Sequence, residues 1–209
     1  MRIPRTLRLV AAVLMLASLA FAADEFKIDP AHSAANFSVK HMMISTVHGR
    51  FSAVSGTILF DEKDPSKSSV EAMIKTDSIT TDNEARDKHL KSPDFFEAEK
   101  YPEITFKSKK VEKRGNQWVA MGTLTIKNVS KDIELPFELA KLETPRGTVI
   151  GIGASLEVNR QDYGVSWSRK LDNGGVVVAD TVKIELSVEA RAPRPPAPAA
   201  APAPDATKK

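Results

Sequence analysis

"TVIGIGASLEVN", residues 148–159, alternates Ile150, Ile152, Ala154, Leu156 and Val158 with Gly151, Gly153, Ser155 and Glu157. The period is two, not 3.6, which is the pattern of a strand with one dry face and one wet face. The same alternation runs through most of the chain. "ANFSVKH" (35–41) sets Phe37 and Val39 against Asn36, Ser38 and Lys40. "GTILFDE" (56–62) sets Ile58 and Phe60 against Thr57 and Leu59, and "SVEAMIKT" (69–76) puts Val70, Ala72 and Ile74 on one face. Ile104 and Phe106 follow in "EITFKSKKVE" (103–112), then Trp118, Ala120, Leu124 and Ile126 in "QWVAMGTLTIKN" (117–128). "IELPFELAKLE" (133–143) contributes Ile133, Leu135, Phe137 and Leu139. The last run, "TVKIELSVEA" (181–190), contributes Val182, Ile184, Leu186 and Val188.

Eight such strands joined by turn-rich connections predict an all-β antiparallel barrel or sandwich. Closure removes the exposed edges that a long antiparallel sheet must otherwise protect, which favours the barrel. An eight-stranded barrel is just wide enough for packed side chains or one elongated ligand. Between the third and fourth strands, "TDNEARDKHLKSPDFF" (81–96) breaks the pattern. Asp82 or Asn83 can cap a short polar helix over Glu84 to Lys91, with Ser92-Pro93-Asp94 as its stop. Phe95 and Phe96 then stand together as a plug or lid for one barrel end. The long loop "NRQDYGVSWSRKLDNGG" (159–175) carries Tyr163 and Trp167, which read as anchors that could also line a mouth. Arg160 and Asp162 are close enough to pair locally.

The ends differ from the body. Arg2, Arg5 and Arg8 precede the apolar run "LVAAVLMLASLAFA" (9–22), and Ala20-Phe21-Ala22 fits a leader-peptidase site. We expect residues 1–22 to be a cleaved signal peptide and the product to have no integral membrane span. Residues 23–191 form the barrel domain, and 192–209 form a disordered Pro/Ala-rich tail. Of the formal net charge of +3, the leader holds three units and the tail two, which leaves the body at −2. A near-neutral body with mixed signs does not suit nucleic acid. The chain has no cysteine, which excludes disulfides, thiolate metal sites and a Cys nucleophile.

"HSAANFSVKHMMISTVHGRF" (32–51) holds three of the four histidines. His32, His41 and His48 are nine and seven residues apart, with no HxH and no HExxH, so zinc is the minority reading, built on these three and His89. No G-x-S-x-G, P-loop or GxGxxG is present, and no carboxylate pair is marked out by spacing, so no catalytic residue is assigned. Around His41, the residues Phe37, Val39, Met42, Met43, Ile44 and Phe51 offer adaptable apolar surface, one wall of a tunnel for a long apolar chain. Candidate tunnel residues are Phe37, Val39, Ile58, Phe60, Ile74, Phe106, Leu124 and Ile126. Candidate rim residues are His41, Phe51, Phe95, Phe96 and Trp167.

Four ordered stretches carry a family resemblance: "FKIDPAHSAANFSVKHMMISTVHGRF" (26–51), "RDKHLKSPDFFEAEKYPEITF" (86–106), "GTLTIKNVSKDIELPF" (122–137) and "NRQDYGV" (159–165). Together the chain resembles the YceI-like, polyisoprenoid-binding periplasmic proteins. The resemblance implies a lipocalin-like antiparallel barrel with a hydrophobic tunnel. It implies a bound isoprenoid, quinone-type or other long-chain lipid as ligand, with no further cofactor, and a homodimer in the periplasm. It implies no catalytic residues.

Overall fold

The computed structural model describes residues 23–172 and 174–193. The expected signal peptide and the tail from residue 194 onward lie outside the described residues. Eleven strands form one antiparallel sheet: β1 (Asp24–Ile28), β2 (Ala34–His41), β3 (Ser45–Phe51), β4 (Val54–Phe60), β5 (Ser69–Lys75), β6 (Ile79–Thr80), β7 (Glu103–Arg114), β8 (Gln117–Ile126), β9 (Val129–Thr144), β10 (Gly147–Asn159) and β11 (Val178–Arg191). The order is β1-β4-β5-β7-β8-β9-β10-β11-β2-β3-β6, and a further β1–β11 pairing closes the ring.

Eleven strands occupy eight positions in this ring. β1 pairs with the end of β11 at Ala190 and Arg191, and β2 pairs with its earlier part from Val178 to Ser187. They are two halves of one strand interrupted at Pro30–His32, where Asp29 accepts from the Ala31 N–H at 3.0 Å. Hydrogen bonds to β11 continue across the break. Asp29 N–H donates to the Glu189 carbonyl at 2.8 Å, and Glu189 N–H donates to Ser33 Oγ at 3.1 Å. β3 and β4 are likewise one strand broken at residues 52–53, and β5 and β6 one strand broken by a 3-10 turn at Thr76–Ser78. The architecture is therefore an eight-position closed barrel with one short helix between the third and fourth positions, as the alternation predicts. The sequence pattern misses β1, β3 and β6. β1 is cut short before a proline, β3 has only Val47 and Phe51 as large apolar residues on its inner face, and β6 has two residues.

The barrel is packed at one end and open within. At the far end Phe60 meets Trp118 edge-on at 4.9 Å, and Trp118 stacks on Phe137 at 6.5 Å. These rings, with Phe26, make a solid floor. β7 carries an irregularity between Ser108 and Lys110, and Gly122 on β8 sits against it. A Cβ at Gly122 would lie 2.4 Å from the Lys107 carbonyl oxygen and 2.7 Å from Ser108 Cα. Backbone atoms cannot swing aside as a side chain can. Gly122→Ala is therefore expected to cost about 2 kcal/mol, read as a lower denaturant midpoint at unchanged slope.

The other end is capped by α1 (Glu84–Lys91). Asn83 is its N-cap, accepting from Arg86 N–H at 3.0 Å, and Ser92 Oγ donates to the His89 carbonyl at 2.7 Å. Leu90 is the one large apolar residue of the helix, and it packs on the core. Asp87 ties it to the sheet: its carboxylate accepts from Thr81 N–H at 2.8 Å, Thr81 Oγ1 at 2.5 Å and Thr80 Oγ1 at 3.0 Å.

Candidate functional site

Inside the barrel lies a cavity of about 220 Å³ whose exposed surface is apolar, although Asn36, Thr105, Arg160 and Tyr163 are among the residues around it. Every long strand contributes to it. Of the sequence candidates, Phe37, Val39, Phe51, Ile58, Ile74, Phe95, Phe96, Phe106, Leu124 and Ile126 line it together. Also in the wall are residues in phase on their strands but outside the candidates from sequence: Ile133, Leu135 and Phe137 on β9, Ile152, Ala154, Leu156 and Val158 on β10, and Val182, Ile184, Leu186 and Val188 on β11. Their alternation was the available signal. On β10 and β11 the side chains that line the cavity are half-buried, whereas Ile150 and Ala190, on the same faces but outside the cavity wall, are buried. That is what an inward face shows when the space it faces is not filled by other side chains.

Three candidates lie elsewhere. Phe60 is inward but belongs to the packed floor, because parity tells the face of a strand and not its height in the barrel. His41 sits at the end of β2, paired with Ser45 and Val178, and is not part of the wall. Trp167 packs outside the cavity in the cap, stacked on Phe95 at 5.4 Å and edge-on to His89 at 5.5 Å. Met42, Met43 and Ile44, expected as wall, are exposed at the β2–β3 turn. Arg160 pairs with Asp180 at 3.0 Å rather than with Asp162, which pairs with Lys131 at 2.8 Å.

The cap holds the cavity's near end. Phe37 meets Phe51 at 5.8 Å, and Phe51 meets Phe96 edge-on at 5.5 Å. Gly49 leaves room for the first of these rings, since a Cβ there would lie 2.4 Å from Phe37 Cζ. Behind the cap, buried Arg160 organises the β10–β11 loop. Its guanidinium donates to the carbonyls of Val165 (2.7 Å), Trp167 (2.8 Å), Ala179 (2.9 Å) and Val178 (3.2 Å), and to the Asp180 carboxylate. Burial lowers its pKa from the ordinary value, with Asp180 acting in the opposite direction. Burial likewise pushes the neighbouring Tyr163 hydroxyl up.

The pH response of the cap follows from Asp87. Burial alone would raise its carboxyl, but hydrogen bonds from Thr81 and Thr80 outweigh it and hold the pKa below the ordinary carboxylate value. The unfolded chain then binds more protons than the folded one across that interval, so stability rises with pH there. The contribution is present in full above the unfolded value, near pH 4, and is lost as pH falls through the lowered folded value. Asp87→Asn should loosen α1 by about 1 kcal/mol at neutral pH, a figure kept small because solvent reaches the carboxylate. The variant should also lose this acid dependence. Amide exchange across residues 84–91, followed from neutral pH to below pH 4, measures both.

The histidines are not gathered into a site. His48 pairs with Ser38 and His41 with Ser45, three ladder positions apart and so roughly 10 Å. His89 is bound to Asp94 at 2.8 Å in the cap. One grouping of metal-ligand type occurs among the described residues, Asp29, His32 and Glu189. Arg191 already occupies it, with Nε 3.2 Å from Asp29 and a terminal nitrogen 2.5 Å from Glu189. A guanidinium in that position supplies the positive charge a metal would bring.

Fold and cavity define an antiparallel β-barrel built around an apolar internal chamber, closed by a helix and a cluster of rings. The chain belongs to the YceI-like family, whose domain model matches residues 26–190. A UPF0312 protein of Staphylococcus aureus strain N315 is 36% identical over 167 residues, covering 78% of this chain and 95% of the relative. Among solved structures, Burkholderia cenocepacia BcnA aligns with a TM-score of 0.68 at 25% identity, over 78% of this chain and 98% of its own. The Campylobacter jejuni YCEI protein aligns at 0.64 with 35% identity, over 74% and 90%. A polyisoprenoid binding domain from Saccharophagus degradans, implicated in plant cell wall breakdown, aligns at 0.64 over 82% and 99%. Its 18% identity shows a shared fold.

Proposed function

We propose that this protein is a carrier for a long apolar chain, an isoprenoid, quinone-type or similar amphiphilic lipid, held in the barrel cavity. The observation that carries the reading is the apolar surface of the cavity, contributed by every long strand. Each buried methylene contributes roughly 0.8 kcal/mol, so a long chain is held without a specific polar partner. Selectivity among chains of similar width is correspondingly loose. A polar end group would sit near the cap, where the wall gives way to polar residues. The name of the Saccharophagus degradans domain supports the isoprenoid class.

The proposal includes export to the periplasm with loss of residues 1–22, supported by the three leader arginines and the apolar run behind them. It includes a homodimer, which the family resemblance implies. The role is binding rather than catalysis. Native mass spectrometry of the tag-free exported protein, followed by organic extraction, tests the whole reading. The expected species is a dimer of chains beginning near Ala23, each carrying about one long-chain amphiphile. Bare polypeptide that also fails to take up such a chain when offered one would overturn the carrier role. A stoichiometric metal adduct would point instead to the histidines.

A further inference from the structure

The β2–β3 turn is chemically out of place. Met42 and Met43 have φ of 51° and 64°, and Ile44 N–H donates to the His41 carbonyl at 3.1 Å. This is a two-residue turn with both central residues left-handed, a geometry that favours Asn and Gly. The β8–β9 turn has the same geometry with Lys127 (φ 48°) and Asn128 (φ 64°), so the backbone does not call for apolar residues. The methionines and the isoleucine do not fold back onto the barrel either. Exposure rises along the tip, from 41% at Met42 to 61% at Met43 and 83% at Ile44. The other exposed large apolar residues among those described, Val129 and Leu142, stand singly.

The tip is held in a cationic frame. Met42 N–H donates to the Val177 carbonyl at 2.8 Å, and Val177 N–H donates to the Arg169 carbonyl at 2.9 Å. Lys170 and Val176 bridge the same small ribbon. Lys40, Arg169 and Lys170 are exposed around the tip and pair with no carboxylate among the described residues. Asp172 is the acidic residue of that ribbon, while Asp180 below it is engaged by Arg160 and Gln161.

We propose that the Met42-Met43-Ile44 tip, framed by Lys40, Arg169 and Lys170, docks this end of the barrel on an anionic phospholipid bilayer. Three apolar side chains on a projecting turn suit shallow insertion at the boundary between headgroups and acyl chains, with the cations meeting lipid phosphates. They are too few for a second copy of the chain, since a stable protein interface needs roughly 800 Å² per partner. The tip also stands over the cavity's near end: Val39 and Val178, on the strands that carry and flank it, line the wall. Docking would bring the capped end of the chamber to the membrane face. The inference goes beyond the carrier reading and does not depend on what the cavity holds.

Co-sedimentation of the full exported chain with vesicles of phosphatidylcholine, with and without phosphatidylglycerol, tests it. Binding is expected to the anionic vesicles and to weaken at 0.5 M NaCl (about a twofold shorter screening length than at 0.1 M). Met42→Asn, Met43→Gly and Ile44→Thr together should reduce that binding at least tenfold. The Asn-Gly pair is the favoured chemistry for this turn, so the variant should fold with an unchanged thermal midpoint. Lys40→Ser, Arg169→Ser and Lys170→Ser together should reduce binding and remove most of its salt dependence. Equal binding by the wild type and the tip variant would overturn the proposal. So would a tip variant that changes oligomeric state while the wild type ignores vesicles, which would assign the tip to a second copy.

Discussion

Replacing Ala154 by Trp is expected to empty the barrel of cargo while leaving the fold intact. Ala154 lies mid-strand on β10, between Phe137 of β9 and Leu186 of β11, and its methyl faces the cavity. An indole there enters space that no other side chain occupies, so it adds contacts without the strain of overpacking a filled core. If it excludes about four methylenes of a bound chain, the loss is ~3 kcal/mol, roughly a hundredfold in Kd. Titration with a fluorescent long-chain amphiphile measures the affinity, and a thermal melt checks the fold. A variant that melts at or above the wild-type temperature and binds a hundredfold more weakly fits the account. Undiminished binding would mean that the chain is held somewhere else.

The second large effect is expected at Arg160, for a different reason. Its side chain is 6% exposed and feeds four backbone carbonyls as well as Asp180. Arg160→Met keeps an unbranched apolar stem and removes every donor. The carbonyls of Val165, Trp167, Val178 and Ala179 then lose a partner in a place where water enters poorly, at roughly 1–3 kcal/mol for each that stays unsatisfied. Partial rearrangement of the loop recovers some of this, which leaves a net loss of about 4 kcal/mol. For a domain of this size that lowers the thermal midpoint by about 8–16 °C. Trp167 rests on Phe95, so the loop and the cap should loosen together. Indole fluorescence should therefore change at a lower denaturant concentration than the far-ultraviolet signal of the barrel.

Periodicity made the barrel legible because one face of each long strand is apolar and the other meets water. It named the inward residues of β2, β4, β5, β7 and β8 with one kind of error, seen at Phe60. Alternation distinguishes in from out, whereas the division between chamber and packed floor depends on where large rings meet, and Phe60 finds Trp118. The Met42-Met43-Ile44 run is apolar in sequence yet exposed in the fold. At a two-residue turn the chain has no inward face to offer, so these side chains project. Arg160 was legible as a pairing residue but not with its partner. Asp162 is near in sequence, yet the turn at Arg160–Tyr163 sends the two side chains apart, to Asp180 and Lys131. The α1 helix was readable to the residue because its signals are local: a capping Asn83 before it and Ser92-Pro93 after it.

The central claim is that the chamber exists to hold a chain. A crystal structure of the protein expressed from its full sequence and purified without detergent decides whether it does. Continuous, unbranched or methyl-branched density is expected from the Phe95–Phe96 cap toward the Phe137 end of the cavity, in contact with Ile152, Ala154 and Leu186. Wall side chains collapsed onto one another, or ordered waters filling the space, would contradict it.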